Sequence, residues 1–420
     1  MFLNPKLVEN TASMKPVLFC FLLISTAITH AQPSATITIG RSDSVYSKIL
    51  REKRRLWVSM PDTTSPDGIF YPQRYPVVYL LDGDESNFST VAVMLRQMGG
   101  GGGNTMFPQM ILVGIPNTDR NRDLTPTHAT FAPMLDSASA AHTGGGENFI
   151  SFLEKELMPH IDSVYPTAPY RLLIGHSFGG LMTMHILLHH TNLFNAYLAS
   201  DPSMWWSDQQ LLQQANLTLK KPTFTGRSLF LAMANTMPGG MDTIQVKKDT
   251  NFSTLHIRSI LQLGHYLNAH PQNGLSFNWK YYPDYDHGSV SMIDEYDGLR
   301  ALFKFYSYQI PFGEFFKPSY KGDTLIAAHY KMLSRQMGYT LSPPEQLLQG
   351  LAHQLRGGRQ FDRAFYFLDM NIENYPKSFN AYGAMGDFYM AKGDRSTAQR
   401  FYEKASALKG GGAASIPHTP

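Results

Sequence analysis

The stretch 170–189 constrains the fold of this chain more than any other. A short apolar run at 170–174 leads into Gly-His-Ser-Phe-Gly, and a helix-forming run follows at 181–189. Strand, tight turn and helix are the context that a G-x-S-x-G nucleophile elbow requires. The glycines leave room where the chain turns, and the turn raises the serine above the end of the sheet. The pattern predicts that Ser177 is a catalytic nucleophile.

The chain around this elbow alternates strand-like and helix-like segments. Residues 35–60 alternate apolar and polar residues, which predicts antiparallel edge strands. Continuous apolar runs are typical of buried strands, and they occur at 76–81 and 110–115. Further strand candidates lie at 196–200, 228–234 and 279–282. Residues 148–161 have helical spacing. We therefore expect an α/β-hydrolase fold: a mostly parallel sheet with helices on both faces and its chemistry at the carboxyl ends of the strands.

The first 31 residues are typical of an export signal. Lys15 precedes an apolar run at 17–28, which is shorter than the roughly 20 residues of a membrane span, and Ala31 and Gln32 form a plausible cleavage junction. Met14 is an alternative start. Cys20, the single cysteine, lies in this segment, so the mature chain would have no disulfide. A net charge of +3 over 420 residues does not indicate nucleic-acid binding.

A serine nucleophile needs a base, which in α/β hydrolases is a histidine after the last strand. Of the 15 histidines, His287 meets this condition, because it follows the last predicted strand in a glycine-containing loop. His185, His189 and His190 lie on the elbow helix, where we expect surface or packing residues, and His256, His265 and His270 fall in a helical insertion. His287 is therefore the predicted base.

The acid of the triad is less well defined. Asp242 is the first acidic residue after the strand that ends at Ala234, so it is the preferred candidate. A dyad of Ser177 and His287 without an essential carboxylate is also compatible with the sequence. Rival carboxylates are Asp201, Asp249, Asp284 and Asp286.

The oxyanion hole is expected to combine two backbone amides. One is the N–H of Phe178, directly after the nucleophile, and the other comes from the loop after strand 77–81, at Gly83 or Asp84. Asp82, Asp84 and Glu85 also form an acidic run, but no histidine accompanies them at ligand spacing. We therefore predict no metal site here.

The chain resembles the putative-esterase family of α/β hydrolases, which includes S-formylglutathione hydrolase, feruloyl esterases and enterobactin-type siderophore esterases. The resemblance covers about residues 36–310 and implies Ser177 as nucleophile and His287 as base. The matching stretches are Tyr75–Asp84, Asn117–Pro126, Gly175–Gly180, Ser200–Trp206 and Asp286–Ser289. The chain departs from the family after the penultimate strand, where Asn-Thr-Met at 235–237 replaces the usual acidic residue.

The resemblance also implies that the loops 117–126 and 203–206 border the substrate pocket. Arg120 and Arg122 are candidates to hold an acidic substrate group bidentately, or to pin their loop to a neighbouring carboxylate. Trp205 and Trp206 are candidates for an aromatic platform under a substrate ring, or for core packing.

Residues 345–409 resemble two tetratricopeptide repeats. Leu348, Ala352 and Ala364 recur 34 residues later as Tyr382, Gly386 and Ala398. The small residues would let paired helices approach closely. Because two repeats are fewer than independent stability needs, we expect them to pack on the preceding helix and the hydrolase. They are interpreted either as a protein- or peptide-binding groove or as a structural appendage.

Together these features predict an exported serine esterase that needs no cofactor. Its substrate would be a small-molecule or glycan-linked ester, such as a siderophore lactone or a feruloyl or acetyl ester. The alternative is a degenerate hydrolase domain that binds a protein through its repeats. The predicted divisions are a signal peptide at 1–31, an esterase domain at 32–311, a linker and helix at 312–344, the repeats at 345–409 and a flexible tail at 410–420.

Overall fold

The apolar runs of the sequence become the strands of one twisted sheet. The computed structural model describes residues 37–61, 73–100, 106–129, 135–221 and 223–411, with side chains to 409. The predicted signal peptide, Cys20 and residues 412–420 of the predicted tail lie outside these residues. Residues 37 and 38, which lie in neither a helix nor a strand, belong to a first unit, and Ile39–Pro420 form a second unit, described below.

Eight strands of the described residues form a mixed sheet of order β1-β2-β4-β3-β5-β6-β7-β8. β1 pairs antiparallel with β2, and β2 with β4, whereas all other neighbours are parallel. The predicted α/β-hydrolase fold is confirmed. The first strand starts at Arg41, later than the alternation at 36–39 indicated. The strands are β1 (Arg41–Ser47), β2 (Glu52–Ser59), β3 (Tyr75–Leu81), β4 (Ile111–Ile115), β5 (Thr167–His176), β6 (Ala196–Ser200), β7 (Arg227–Ala234) and β8 (Leu275–Tyr282).

Helices cover both faces of the sheet and continue beyond it. A π-helical turn, Leu153–Leu157, joins α4 to α5, and short 3₁₀ turns precede and follow α8. Among the described residues, none of the helices combines the length and apolar character needed to cross a membrane. The helices are α1 (Glu85–Met98), α2 (Arg120–Asp123), α3 (Ser137–Ala141), α4 (Gly146–Phe152), α5 (Met158–Val164), α6 (Phe178–His189), α7 (Trp206–Thr218), α8 (Leu255–Ala269), α9 (Ser291–Leu302), α10 (Phe312–Phe315), α11 (Thr324–Met337), α12 (Glu345–Gly357), α13 (Phe361–Asn374), α14 (Phe379–Ala391) and α15 (Arg395–Gly411).

The sheet has an apolar core on each face. Successive residues of β3 alternate between the two cores: Tyr79 lies in one, and Val78 and Leu80 lie in the other. Side chains of a strand point alternately to opposite faces, so a strand covered by helices on both sides is apolar throughout. This explains why the central strands appear in the sequence as unbroken apolar runs.

The carboxyl-terminal helices form two pairs with the predicted period. α14 and α15 begin 34 residues after α12 and α13, respectively. Ala352 and Ala364 are buried between the helices, and a Cβ atom at Gly386 would lie 2.5 Å from the ring of Tyr402. The region is therefore helical, with small residues at close approaches. Its assignment to tetratricopeptide repeats stays a prediction.

Candidate active site

Ser177 occupies the turn between β5 and α6. Its backbone has φ 58° and ψ −115°, a conformation that side-chain-bearing residues rarely adopt. A Cβ atom on Gly175 would collide with the carbonyl group of Gly179, and one on Gly179 would lie 3.1 Å from Oδ2 of Asp82. The turn therefore depends on these two glycines, as the elbow motif predicts, and it presents the Ser177 hydroxyl at the carboxyl end of the sheet.

His287 reaches the serine from the loop between β8 and α9. Its Nε2 atom lies 3.1 Å from Oγ of Ser177. His176 supports this loop, because its Nε2–H donates to the carbonyl oxygen of His287 at 2.8 Å. Burial lowers the pKa of His176 to about 4, with the nearby His287 adding to the shift, so His176 is neutral near pH 7. The structure thus brings together the predicted nucleophile and the predicted base.

The carboxylate that contacts His287 belongs to Asp201, not to the preferred candidate Asp242. Oδ2 of Asp201 lies 2.6 Å from Nδ1 of His287. Asp242 is exposed, and its Oδ1 accepts hydrogen bonds from the backbone of Ile244 and Gln245. It therefore organises a local turn after β7.

The register of the sheet explains why Asp201 occupies this position. β5 and β6 are neighbours in which His176 pairs with Ser200, so Ser177 and Asp201 leave the sheet side by side. Of the other rivals, Asp249 accepts a hydrogen bond from Thr254 and Asp286 accepts one from Ser289, while Asp284 is exposed. Asp201 was one of the rival carboxylates, and its placement directly after the strand adjacent to the elbow strand was the available sequence signal.

Asp201 is ionised although it is fully buried. Burial by itself opposes ionisation, but hydrogen bonds from His256 and His287 outweigh it and hold the pKa of the carboxyl well below its usual range. Oδ1 also accepts the backbone N–H of Ala234 at 2.9 Å. No sequence pattern singles out His256, which lies on α8 in the insertion between β7 and β8.

The backbone N–H groups predicted for the oxyanion hole differ in whether they already donate a hydrogen bond within the protein. Phe178 is the first residue of α6, and the N–H groups of a first helical turn have no intrahelical acceptor. The N–H of Gly83 donates to the carbonyl of Ile115 at 3.1 Å, and that of Asp84 to the carbonyl of Asp82 at 2.9 Å. The two amides after β3 are therefore already hydrogen-bonded, because the sharp turn at this point uses them.

Arg120 and Arg122 have different partners. Arg120 forms a bidentate pair with Asp82, at 2.7 and 2.9 Å, and its guanidinium lies 5.2 Å from the ring centre of Phe178 beside the elbow. Arg122 is bound by Glu52 and Asp123, which fix its loop to β2 and raise the pKa of its guanidinium further. Of these two arginines, Arg120 lies beside the elbow, as an ion pair with Asp82.

Trp205 and Trp206 are packed into the protein. The exposed fractions are 8% for Trp205 and 1% for Trp206, too little for an open aromatic platform. Both rings pack on Phe178, and the indole N–H of Trp206 donates to Thr127 at 3.1 Å. Of the two interpretations left open by the sequence, core packing describes both residues, and they support the helix start that follows Ser177.

Side chains of the types that bind metal ions converge at two places in the described part of the chain. One group is Glu147, His185 and His190, and the other is Asp201, His256 and His287. In each group the side chains hydrogen-bond to one another. In the acidic run after β3, Asp82 pairs with Arg120, and Asp84 caps α1 by accepting backbone N–H groups of Ser86 and Asn87.

The strand order, the elbow and the arrangement Ser177–His287–Asp201 are those of an α/β hydrolase. Comparison with known proteins narrows this class. Residues 47–234 match the family described as putative esterase. The chain is 33% identical to an IroE-like serine hydrolase from Shewanella oneidensis, with a TM-score of 0.67 over 80% of this chain and 99% of that one.

Two curated relatives are similar over a shorter stretch. The ferri-bacillibactin esterase BesA of Bacillus subtilis is 33% identical over 200 residues, which are 45% of this chain and 67% of that protein. The siderophore enterobactin esterase of Emericella nidulans is 32% identical over 189 residues, which are 42% of this chain and 59% of that protein. The chain belongs to the putative-esterase family of α/β hydrolases.

Proposed function

We propose that this protein is a serine esterase that hydrolyses the ester bonds of a siderophore. The proposal is carried by two contacts of His287. Its Nε2 atom lies 3.1 Å from Oγ of Ser177, and its Nδ1 atom lies 2.6 Å from Oδ2 of Asp201. Such a chain of contacts activates a hydroxyl that is otherwise a weak nucleophile. No cofactor takes part in the proposed reaction.

The reaction proceeds in two halves. Ser177 Oγ attacks the ester carbonyl carbon while Nε2 of His287 takes the hydroxyl proton. The same histidine then donates that proton to the leaving alkoxide, which departs as an alcohol and leaves an acyl-serine. Water attacks the acyl-serine with His287 again as base, releasing the acid and restoring Ser177. Asp201 stays ionised throughout and stabilises the imidazolium.

The tetrahedral intermediate carries a negative charge on the former carbonyl oxygen. The N–H of Phe178 lies at the amino terminus of α6, where the helix dipole favours an anion. The guanidinium of Arg120, which is paired with Asp82, lies at the same edge, with its Nη2 atom 3.5 Å from the carbonyl oxygen of His176. We assign substrate contact to Arg120, and packing support of the elbow to Trp205 and Trp206.

The substrate class rests on the relatives. Two curated relatives are named as esterases of ferri-bacillibactin and of the siderophore enterobactin, and a third, from Aspergillus fumigatus, as an esterase of the siderophore triacetylfusarinine C. All three names describe the cleavage of an ester bond in an iron-binding small molecule. A feruloyl or acetyl ester of a glycan is the competing substrate, and it is tested below.

The proposal includes export and a helical accessory region. Residues 1–31 would direct the chain out of the cytoplasm, residues 32–311 would form the esterase, and the helices of 345–409 would be two tetratricopeptide-like repeats on its side. The rival function, a degenerate hydrolase that binds a protein partner, is not favoured, because the serine, histidine and carboxylate of the site are intact and in contact.

The proposal is tested by incubating the purified protein with enterobactin, ferri-bacillibactin, a feruloyl ester and an acetylated glycan, and measuring products by mass. We expect the siderophores to gain one water per bond cleaved. Ser177→Ala should lower this rate on the order of 10⁴-fold or more. Ser163→Ala, at an exposed position on α5, is the matched control and should retain the wild-type rate.

Preferred cleavage of the feruloyl or acetyl esters would overturn the siderophore assignment but not the serine mechanism. Wild-type rates in Ser177→Ala would overturn the mechanism itself. An absence of cleavage, together with no covalent labelling of Ser177 by a fluorophosphonate, would favour the binding-protein alternative.

A further inference from the structure

A single carboxylate oxygen of Asp201 accepts hydrogen bonds from two histidines. Its Oδ2 atom lies 2.6 Å from Nδ1 of His287 and 2.8 Å from Nε2 of His256. The two imidazole rings meet edge to face with centres 5.0 Å apart. A triad needs only the first of these contacts, so the second histidine requires its own explanation.

His256 is held firmly in this position. It lies in the first turn of α8, whose neighbouring residues Ile257 and Ile260 are buried in the core. The turn before the helix is fixed as well, because Thr254 Oγ1 donates to Asp249 at 2.7 Å and accepts from Arg258 at 3.0 Å. The side chain of His256 is 16% exposed. The N–H that it directs at Asp201 is therefore presented by a packed helix.

This contact restricts how Asp201 can accept hydrogen bonds. A carboxylate accepts but cannot donate, so both histidines must present an N–H to Oδ2. His287 then carries its proton on Nδ1, and the lone pair of Nε2 faces Ser177, which is the tautomer that a general base requires. With Ala234 bound to Oδ1, the bond from His256 fixes the remaining rotation of the carboxylate.

We propose that His256 is a positioning residue that holds Asp201 in the orientation that keeps His287 as a base. The inference rests on the proposed function, because positioning has meaning only if Ser177 and His287 react. Among the described residues, His256 forms a hydrogen bond with Asp201 and none with Ser177. It therefore acts through Asp201. A purely structural histidine would instead serve only to pack α8 against the sheet.

Three substitutions separate positioning from packing. In His256→Gln the amide nitrogen can take the place of Nε2 and still donate to Asp201. In His256→Asn the amide is shorter and falls short of Oδ2, while the position remains polar. His265→Leu, at an exposed position on the same helix, is the control. The fold of each variant is checked by its thermal unfolding midpoint.

The first readout is the rate at which a fluorophosphonate labels Ser177, in which Oγ bonds to phosphorus and fluoride leaves, so no natural substrate is needed. We expect His256→Asn to label on the order of tenfold more slowly, the loss of one hydrogen bond to a charged group. His256→Gln should recover most of the rate, and His265→Leu should match the wild type. The proposal would be overturned if His256→Asn labelled at the wild-type rate, or if His256→Asn and His256→Gln lost the same fraction of that rate.

The second readout does not depend on reactivity. The proton shared by Nδ1 of His287 and Asp201 should give a proton NMR signal far downfield of the amide signals. We expect this signal to move or broaden in His256→Asn and to return in His256→Gln. If the wild type fails to label, the proposed function fails, and an unchanged signal in His256→Asn would then separately overturn the positioning role.

Discussion

At the scale of single residues, the site depends on two backbone conformations. Ser177 has φ 58° and Asp201 has φ 39°, both in the left-handed region that disfavours side chains and costs on the order of 1–3 kcal/mol each. The sheet maintains them, because the N–H of Ser177 donates to Ser200 and that of Asp201 donates to Ala232, each at 3.0 Å. The reactive side chains are therefore aimed by hydrogen bonds between strands.

The Asp201 carboxylate gives the sharpest prediction at this scale. In Asp201→Asn the side chain loses the charge that stabilises the His287 imidazolium and can stabilise the wrong tautomer. We expect kcat for ester hydrolysis to fall about 10³- to 10⁴-fold. Asp242→Asn, the matched change at an exposed turn, should leave kcat within about twofold. A near-normal rate in Asp201→Asn would establish a Ser–His dyad, and a large loss in Asp242→Asn would restore the carboxylate preferred from the sequence.

At the scale of secondary-structure elements, α9 is notable for two buried acids against the sheet. Asp294 accepts a hydrogen bond from Ser200 at 2.5 Å, and burial raises its pKa well above the usual range. Burial alone raises the pKa of Glu295 to about 8. The helix approaches closely, because a Cβ atom on Gly298 would lie 2.5 Å from Leu198. Glu295 on α9 is therefore mostly uncharged near pH 7.

Replacing Glu295 should change how stability depends on pH. The carboxyl ionises near 4.5 in the unfolded chain and near 8 in the folded one. Between these values the folded state binds more protons, so its free energy of unfolding falls as pH rises. Glu295→Gln cannot ionise. We expect its free energy of unfolding in urea to match that of the wild type below pH 4.5 and to exceed it increasingly towards pH 8, by about 4 kcal/mol.

Exposed Glu154 provides the control for this experiment. Glu154→Gln should follow the wild-type pH dependence across the same range. A difference between Glu295→Gln and the wild type that stays constant with pH would show that Glu295 ionises alike in the folded and unfolded protein.

At the scale of the whole molecule, α11 belongs to two cores at once. Near its start Ile326 lies in the core of the carboxyl-terminal helices, and at its end Met337 lies in a core of the sheet. Both side chains are 1% exposed. Because one helix is shared, unfolding of the carboxyl-terminal helices removes packing from the sheet. We expect the two regions to unfold together, as also predicted if these helices are two tetratricopeptide repeats, which are too few to fold alone.

This coupling can be measured with Ile326→Ala. All four tryptophans precede α10, so tryptophan fluorescence reports the sheet region, whereas far-ultraviolet circular dichroism reports every helix. We expect the free energy of unfolding to fall by about 2–4 kcal/mol when derived from either signal, which is the cost of a cavity at a buried isoleucine. Leu325→Ala, at a neighbouring side chain that is 51% exposed, should change stability little. Separate transitions for the two signals would show that the helices fold independently.

The sequence by itself determined the fold class, the nucleophile candidate and the base candidate. These signals are local: β5, the turn at Ser177 and α6 are consecutive in the chain, and His287 directly follows the last strand. The unbroken apolar runs likewise specify central strands without knowledge of their neighbours.

Only the tertiary structure decided which residues surround Ser177. Asp201 reaches His287 because β6 lies next to β5, whereas Asp242 lies eight residues beyond the end of β7 and is used in its own turn. His256 joins them because α8 packs back on the sheet. The sequence does not specify the hydrogen bonds of the turn that engages the amides of Gly83 and Asp84. Partners far away in the chain determine the positions of the Arg122 guanidinium and of the two buried tryptophans. Contacts of this kind depend on strand order and helix docking, which no local pattern encodes.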